Sequence, residues 1–354
     1  MNKDILRTTE NKLLRGRSLG DFLINNALYI IMLILVVYVT ITHPDFLKPT
    51  SLVNLLSLTA AYLPVALGIA GCIVLTGTDL SAGRIVGITA CISASLLQAA
   101  TAPGKMWTNL EPLPLGLVLL LSILLGTALG VFNGFWVAKF KLHPFIVTLA
   151  TQLIVFTGLL LYMQAGASTG QAISGLTDEY REFVTGSVVK LPVGGGSSVP
   201  IPNYVFFSIV LSILMWIIWN KTTFGKNMFA LGANEEAARV SGVNVFMTTI
   251  AVFALAGAMY GYAGFIESAR IASNTANTGA NYELDAIAAC VIGGVSFVGG
   301  IGKISGIITG VLLLRLIFVA LPMVGMDQNL QYAIKGAIIL VACALDMRKY
   351  LVKT

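Results

Sequence analysis

Charge is scarce in this chain: 11% of its 354 residues are Asp, Glu, Lys or Arg, against about a quarter in a soluble domain. That shortage excludes a water-facing surface over most of the molecule, and with it a soluble globular fold. Histidine is scarcer still. Only His43 and His143 occur, each just before a proline at the edge of an apolar run, a setting for a turn rather than for ligation. Cys72, Cys91, Cys290 and Cys343 lie inside apolar runs, without the paired spacing of a zinc site or the density of a disulfide framework. Phosphate-loop and His-Glu-x-x-His patterns are missing as well, so neither ATP hydrolysis nor metal chemistry is expected of the chain itself. Its net charge of +6 is scattered over the ends of apolar runs instead of forming one basic stripe, which argues against nucleic acid.

What the chain does have is long hydrophobic stretches, 56% of the residues being apolar. The uncharged runs from Lys48 to Asp79 and from Glu111 to Lys139 exceed the ~20 residues that cross a bilayer as a helix. Setting such runs against their polar breaks predicts an all-α polytopic membrane protein of ten spans: 22–42, 53–75, 85–99, 113–138, 145–164, 203–220, 248–268, 284–300, 304–322 and 330–346. The first reads as an uncleaved anchor, not a secretory signal. With both termini in the cytoplasm, inside segments hold 15 basic residues, Arg84 and Lys303 among them, and outside segments hold five; that asymmetry follows the positive-inside rule. Gly-rich breaks near Thr78 and Ser296 are broken or re-entrant segments on this reading. The expected organisation is a cytoplasmic segment 1–21, a transmembrane domain 22–346 and a cytoplasmic tail 347–354. Within the domain lie an external loop 165–202, expected as a solvated cap, and a cytoplasmic loop 220–247.

The cytoplasmic loop carries its own signal. Asn234 stands at a helix N-cap, Glu235 and Glu236 in the first turn, Arg239 in the last and Gly242 at the exit, a pattern that caps and charges a short helix of about two turns. Ala237 and Ala238 would let a partner approach closely. Inside the membrane, Gly126, Gly130 and Gly134 recur every four residues, as do Gly302, Gly306 and Gly310, with Gly257 and Gly261 as a shorter pair; each set forms a close-packing face, read first as contact between helices of one subunit. The two breaks also resemble each other: Gly77, Asp79 and Gly83 match Gly294, Ser296 and Gly300 in spacing, and paired Gly-interrupted segments point to a transport path. Charges in or beside spans are expensive in lipid and rarely face it. Asp79 with Arg84 is read as a structural ion pair, Glu283 and Asp285 open the eighth span, and mid-span Arg315 needs an internal partner. Asp79, Ser81, Arg84, Glu283, Asp285 and Ser296 are the candidate path or gate residues.

Four ordered stretches carry a family resemblance: Gly77-Thr78-Asp79-Leu80-Ser81-Ala82-Gly83-Arg84, Phe145-Ile146-Val147-Thr148-Leu149-Ala150-Thr151, Gly232 to Val243, and Tyr282 to Gly294. Together they resemble the permeases of bacterial sugar ABC importers, over about residues 22–350. The Thr-Asp-Leu-Ser-Ala-Gly-Arg form and Ile334-Lys335-Gly336-Ala337-Ile338-Ile339 resemble the galactose/methyl-galactoside branch. That resemblance implies a homodimeric channel in the cytoplasmic membrane, fed by an extracytoplasmic sugar-binding protein and driven by a cytoplasmic ATPase with two nucleotide-binding domains. ATP would be bound by that partner, and no cofactor by this chain. Gly232, Asn234, Glu235, Glu236, Ala237, Ala238, Arg239, Ser241 and Gly242 would form the coupling helix region. Ribose, nucleosides or another small polar solute are the alternative cargoes. A secondary transporter working without an ATPase is a different class, separated from the first by having no use for a docking helix.

Overall fold

In the computed structural model, residues 27–167, 169–193 and 197–351 are described; the expected segment 1–21 and the start of the first span lie outside them. The chain folds into α1 (Ala27–Thr42), α2 (Pro49–Val74), α3 (Ala82–Leu96), α4 (Leu115–Phe140) and α5 (Pro144–Gln164). A short helix α6 (Asp178–Thr185) and a hairpin of β1 (Val189–Val193) and β2 (Ser197–Ile201) follow. Then come α7 (Asn203–Lys221), α8 (Thr223–Ala233), α9 (Glu235–Val240), α10 (Val245–Ile271), α11 (Tyr282–Ile292), α12 (Ile304–Met323) and α13 (Gln328–Leu351). The tail from 347 therefore continues α13 as far as Leu351, and 352–354 lie outside the described residues.

Proline sets several starts. Pro49 and Pro144 occupy the first turn of α2 and α5, where a missing N–H costs nothing because it would have no partner there. Among the described residues, six helices are long and apolar enough to cross a membrane: α2, α4, α5, α7, α10 and α12. Two others are not. With 15 and 11 residues, α3 and α11 reach about 22 and 16 Å, short of the ~30 Å hydrocarbon core. The expected eighth span, 284–300, is accordingly corrected: its helix stops at Ile292, and residues 293–303 turn without helix.

The centre of the bundle is α2, 89% of whose apolar window is buried, whereas α4 has 22% of its window buried and lies at the periphery. The Gly ladder of α4 faces α10. A Cβ on Gly126 would overlap the backbone oxygen of Gly257, and one on Gly257 would overlap that of Gly126. The two backbones thus pack at a distance that no larger residue permits, and α12 repeats the arrangement on α11 through Gly306 against Gly293 and Gly310 against Ala289. These faces join helices of one chain, as read from the sequence.

The 165–202 segment is more than a solvated cap. Ile173 pairs with Asn274, Ile173 and Leu176 are buried, and the Tyr180 hydroxyl, itself buried, donates to the backbone oxygen of Phe265. Burial pushes that phenol above its usual pKa.

Candidate functional site

The first break begins where α2 ends. Leu75 to Ser81 leave the helix, Thr76 adopts φ 60°, and α3 restarts inside the bundle. Asp79 is fully buried. Its Oδ1 accepts from the Ser81 N–H at 2.9 Å and the Ser81 hydroxyl at 2.6 Å. Behind Ser81 the bonds continue in one direction, Asn133 Nδ2 donating to Ser81 Oγ at 2.9 Å and Thr151 Oγ1 to Asn133 Oδ1 at 2.6 Å. Thr148 pins the same turn, accepting from the Leu80 N–H at 3.1 Å and donating to the Thr78 oxygen at 3.3 Å. The stretch Phe145–Thr151 thus serves the break by supplying Thr148 and Thr151 from one face of α5. Asp79 Oδ2 and the buried Tyr260 hydroxyl are without a strict hydrogen-bond partner among the described residues and stand as each other's polar neighbours.

The expected Asp79–Arg84 ion pair does not form. Arg84 turns the other way, donating to the Ala276 oxygen at 3.1 Å and lying 4.1 Å above the Phe156 ring. The four residues of turn and helix start between them send the two side chains in different directions. Arg84 is also half-buried within the bundle.

Two half-helices meet beside this break. A Cβ on Gly83, in the first turn of α3, would overlap Glu283 Oε2 and the Gly279 oxygen at the start of α11. Glu283 is 4% exposed, and its Oε2 has no hydrogen-bond partner among the described residues; Arg84 is the cation that acts on it. The carboxylates also sit at helix N-termini, where the backbone dipole favours negative charge.

Asp285, two residues on, belongs to a different cluster. It receives Arg315 Nη2 at 2.6 Å, both side chains being buried. The Arg315 guanidinium lies 3.5 Å from the Tyr62 ring centre, and Tyr62 packs on Tyr282 at 4.4 Å. The Tyr282 hydroxyl donates to Glu267 at 2.5 Å, and Arg270 grips the same carboxylate with two bonds of 2.6 and 2.7 Å. One continuous set of charges and rings thus ties α2, α10, α11 and α12 together. Sequence reasoning missed Tyr62, Glu267, Arg270 and Tyr282 here; the signal was available, since Glu267 and Arg270 stand three apart within an apolar stretch.

Ser296 is buried and shapes the second break: its backbone oxygen accepts from Gly299 N–H at 3.1 Å and its Oγ from Val298 N–H at 3.3 Å. The likeness between the breaks does not extend to conformation either. Gly294 and Gly300 have φ +81° and +66°, whereas their counterparts Gly77 and Gly83 have no positive φ, Gly83 lying in α3. Yet the breaks touch. Gly300 N–H donates to the Val74 oxygen at 2.9 Å, and Gly232 of α8 closes on both, since a Cβ there would overlap Val74 O and approach Gly300 N.

Immediately after Gly232 comes the capped helix. Asn234 Oδ1 accepts from Ala237 N–H at 2.9 Å, Arg239 pairs with Glu235 at 2.5 Å, and Gly242 leaves with φ +85°. The helix itself is α9, six residues long. Ala237 is exposed and Val240 is 89% exposed. Ala238 is 3% exposed, which corrects its expected place on a partner-facing surface: it packs on its own chain.

Long apolar helices, half-helices meeting inside the bundle and a helix seated on the breaks that leads directly into a capped helix define a multi-pass helical membrane transport protein. Over residues 51–343 the chain matches the family described as branched-chain amino acid transport system / permease component, and it belongs to that family. It is 41% identical over 338 residues to the galactose/methyl galactoside import permease protein MglC of Escherichia coli (strain K12), covering 95% of this chain and 98% of that one. The Haemophilus influenzae protein of the same name is 41% identical over 93% of this chain and 96% of its own length. The ribose import permease protein RbsC of Bacillus subtilis is 34% identical, covering 90% and 91%. No solved structure matches the chain. Like these bacterial relatives, the chain is a multi-pass protein of the cytoplasmic membrane.

Proposed function

We propose that the chain is the membrane-spanning subunit of an ATP-driven importer that carries galactose or a methyl galactoside into the cell. The observation that carries the mechanism is the seat of Gly232 near the end of α8, which touches the ends of both breaks two residues before the N-cap of α9. A push on α9 then passes through the Asn234 junction to α8 and from there to Val74 and Gly300. The cargo rests on the relatives' names and on their order of identity, 41% for the galactose permease of Escherichia coli and 34% for the ribose permease of Bacillus subtilis.

On this reading both termini and the 220–247 loop are cytoplasmic, residues 165–202 are external, and α3 and α11 act as half-spans that complete a ten-segment bundle. A separate ATPase with two nucleotide-binding domains binds and hydrolyses ATP, and an extracytoplasmic binding protein delivers the sugar. Each chain supplies one α9, so the two nucleotide-binding domains call for two copies of the permease. The path passes the tips of α3 and α11, where Ser81, Arg84 and Glu283 lie, while Asp79, Asp285 and Ser296 hold the walls. A neutral sugar suits this lining, because dipoles and arginines offset its carboxylates.

The test uses the reconstituted complex with sugar-loaded binding protein. Ala237→Arg, on the exposed face, is expected to abolish sugar-stimulated ATP hydrolysis and galactose uptake while the permease stays inserted with an unchanged melting temperature. Ala238→Arg should lower that melting temperature as well. Full stimulation in the Ala237→Arg protein would remove α9 from the docking surface, and competition of uptake by ribose but not galactose would overturn the cargo.

A further inference from the structure

A groove of about 300 Å³ opens on the flank of the bundle between α7 and α10. Phe207, Leu211 and Leu214 line one side and Tyr262 and Phe265 the other, with Phe183 of α6 at one end. From Phe207 to Leu214 the α7 side runs about 10 Å. The Phe183 and Phe207 rings approach to 5.2 Å, and the Tyr180 bond to Phe265 ties α6 to the wall it covers. Around the opening, Val210, Ile213 and Leu214 are exposed, as residues facing hydrocarbon are in a membrane-embedded helix. One polar atom interrupts the lining. The Tyr262 hydroxyl is buried and has no hydrogen-bond partner among the described residues.

The helix at the end of the groove carries charges of both signs. Glu179 and Glu182, three residues apart and so on one face, are exposed and, among the described residues, belong to no ion pair, while exposed Arg181 lies on the other side of the helix beside Asp178, at 4.0 Å. Glu179 stands one turn before Phe183, on the same face of α6. On the groove side of this helix the charges are the acids Glu179 and Glu182, which favour a headgroup with a cation and repel one that carries an anion alone.

We propose that the groove binds one acyl chain of a zwitterionic phospholipid of the ethanolamine type, with its ammonium at Glu179 and Glu182. An ester carbonyl of the lipid supplies the acceptor that Tyr262 lacks, and the acyl chain fills the apolar length that α7 and α10 leave open. This assignment is independent of which sugar the protein carries.

The experiment reconstitutes the full-length permease in bilayers of equimolar phosphatidylethanolamine and phosphatidylglycerol, extracts it in mild detergent and counts retained lipid by native mass spectrometry. The expected result is phosphatidylethanolamine retained severalfold over phosphatidylglycerol. Glu179→Lys with Glu182→Lys, on the surface of α6, should reverse the preference. Leu211→Trp should displace the lipid by filling the groove, and Leu214→Trp, at the edge of the groove, gives the same readout should the first variant fold poorly. Equal retention of the two lipids by the unaltered protein, or undiminished retention in both filled variants, would overturn the proposal. So would disulfide-linked dimers of a Val210→Cys protein in membranes, because a second copy would then cover the groove.

Discussion

The turn at Asp79 and the start of α11 at Asp285 both bury a carboxylate beside a half-helix, and they hold it by opposite means. Asp285 is held by a cation, Arg315, at 2.6 Å. Asp79 is held by Ser81 alone at Oδ1, at the end of a run of hydroxyl and amide donors that begins at Thr151, and no cation lies within ion-pair distance among the described residues. The first arrangement binds elements far apart in sequence by charge; the second fixes a local turn by shape and direction of hydrogen bonds. Residues of one chemical type therefore need not share a role even when both sit at breaks in the same bundle.

The largest expected effect tests the charged arrangement. Arg315→Ala leaves Asp285 buried without its cation, and breaking a buried pair from one side costs about 3–5 kcal/mol. It also strips the guanidinium from the Tyr62 ring, so α2 loses one of its contacts with α12. The melting temperature in detergent should fall sharply, and the Asp285→Asn, Arg315→Gln double variant should recover much of the loss. Equal melting of Arg315→Ala and the double variant would show that charge is not what joins these helices.

The next effect separates the two carboxylates directly. Asp79→Asn keeps an acceptor for Ser81 and changes no ion pair, so it should melt within a degree or two of the unaltered protein. Asp285→Asn, the identical change, leaves Arg315 uncompensated and should resemble Arg315→Ala. At position 79 the damaging substitution is Ala, which orphans the buried Ser81 donors at about 1–3 kcal/mol. If Asn is as harmful as Ala at 79 and harmless at 285, the assignment of roles is reversed.

These contrasts also mark what the sequence could show. Each expected span contains a helix, because apolar length and proline or glycine punctuation are local signals; the exception in extent was 284–300. Gly293, Gly294, Gly299 and Gly300 end that helix early, and hydropathy cannot distinguish an apolar turn buried in protein from an apolar helix. The caps of α9 were legible for the same local reason, since Asn234, Arg239 and Gly242 act within nine residues. Ala238 was misplaced because its exposure depends on the orientation of a short helix against the bundle. Asp79 and Arg84 were paired on proximity in sequence, although the turn between them sends their side chains apart. Arg315 finds Asp285 thirty residues away, across a break whose path no periodicity reports, so a charged residue in a span could be flagged while its partner could not.

The smallest effect reaches the hydrogen-bonded region through its support. Thr148 makes two bonds to the turn, taking the Leu80 N–H and giving to the Thr78 oxygen. Thr148→Val keeps the side-chain shape and removes both bonds, a loss of about 0.5–1.5 kcal/mol per bond at most, since backbone groups in a turn can relax. Global melting should shift by only a few degrees. The local consequence should be larger: if Thr148 holds the turn to α5, hydrogen exchange at the Leu80 amide will speed up severalfold in Thr148→Val while the amides of α11 keep their rates. Acceleration of both regions together would mean that the two ends of the half-helices open as one unit, and the separation between a charge-held and a hydrogen-bond-held carboxylate would then describe their chemistry but not their motion.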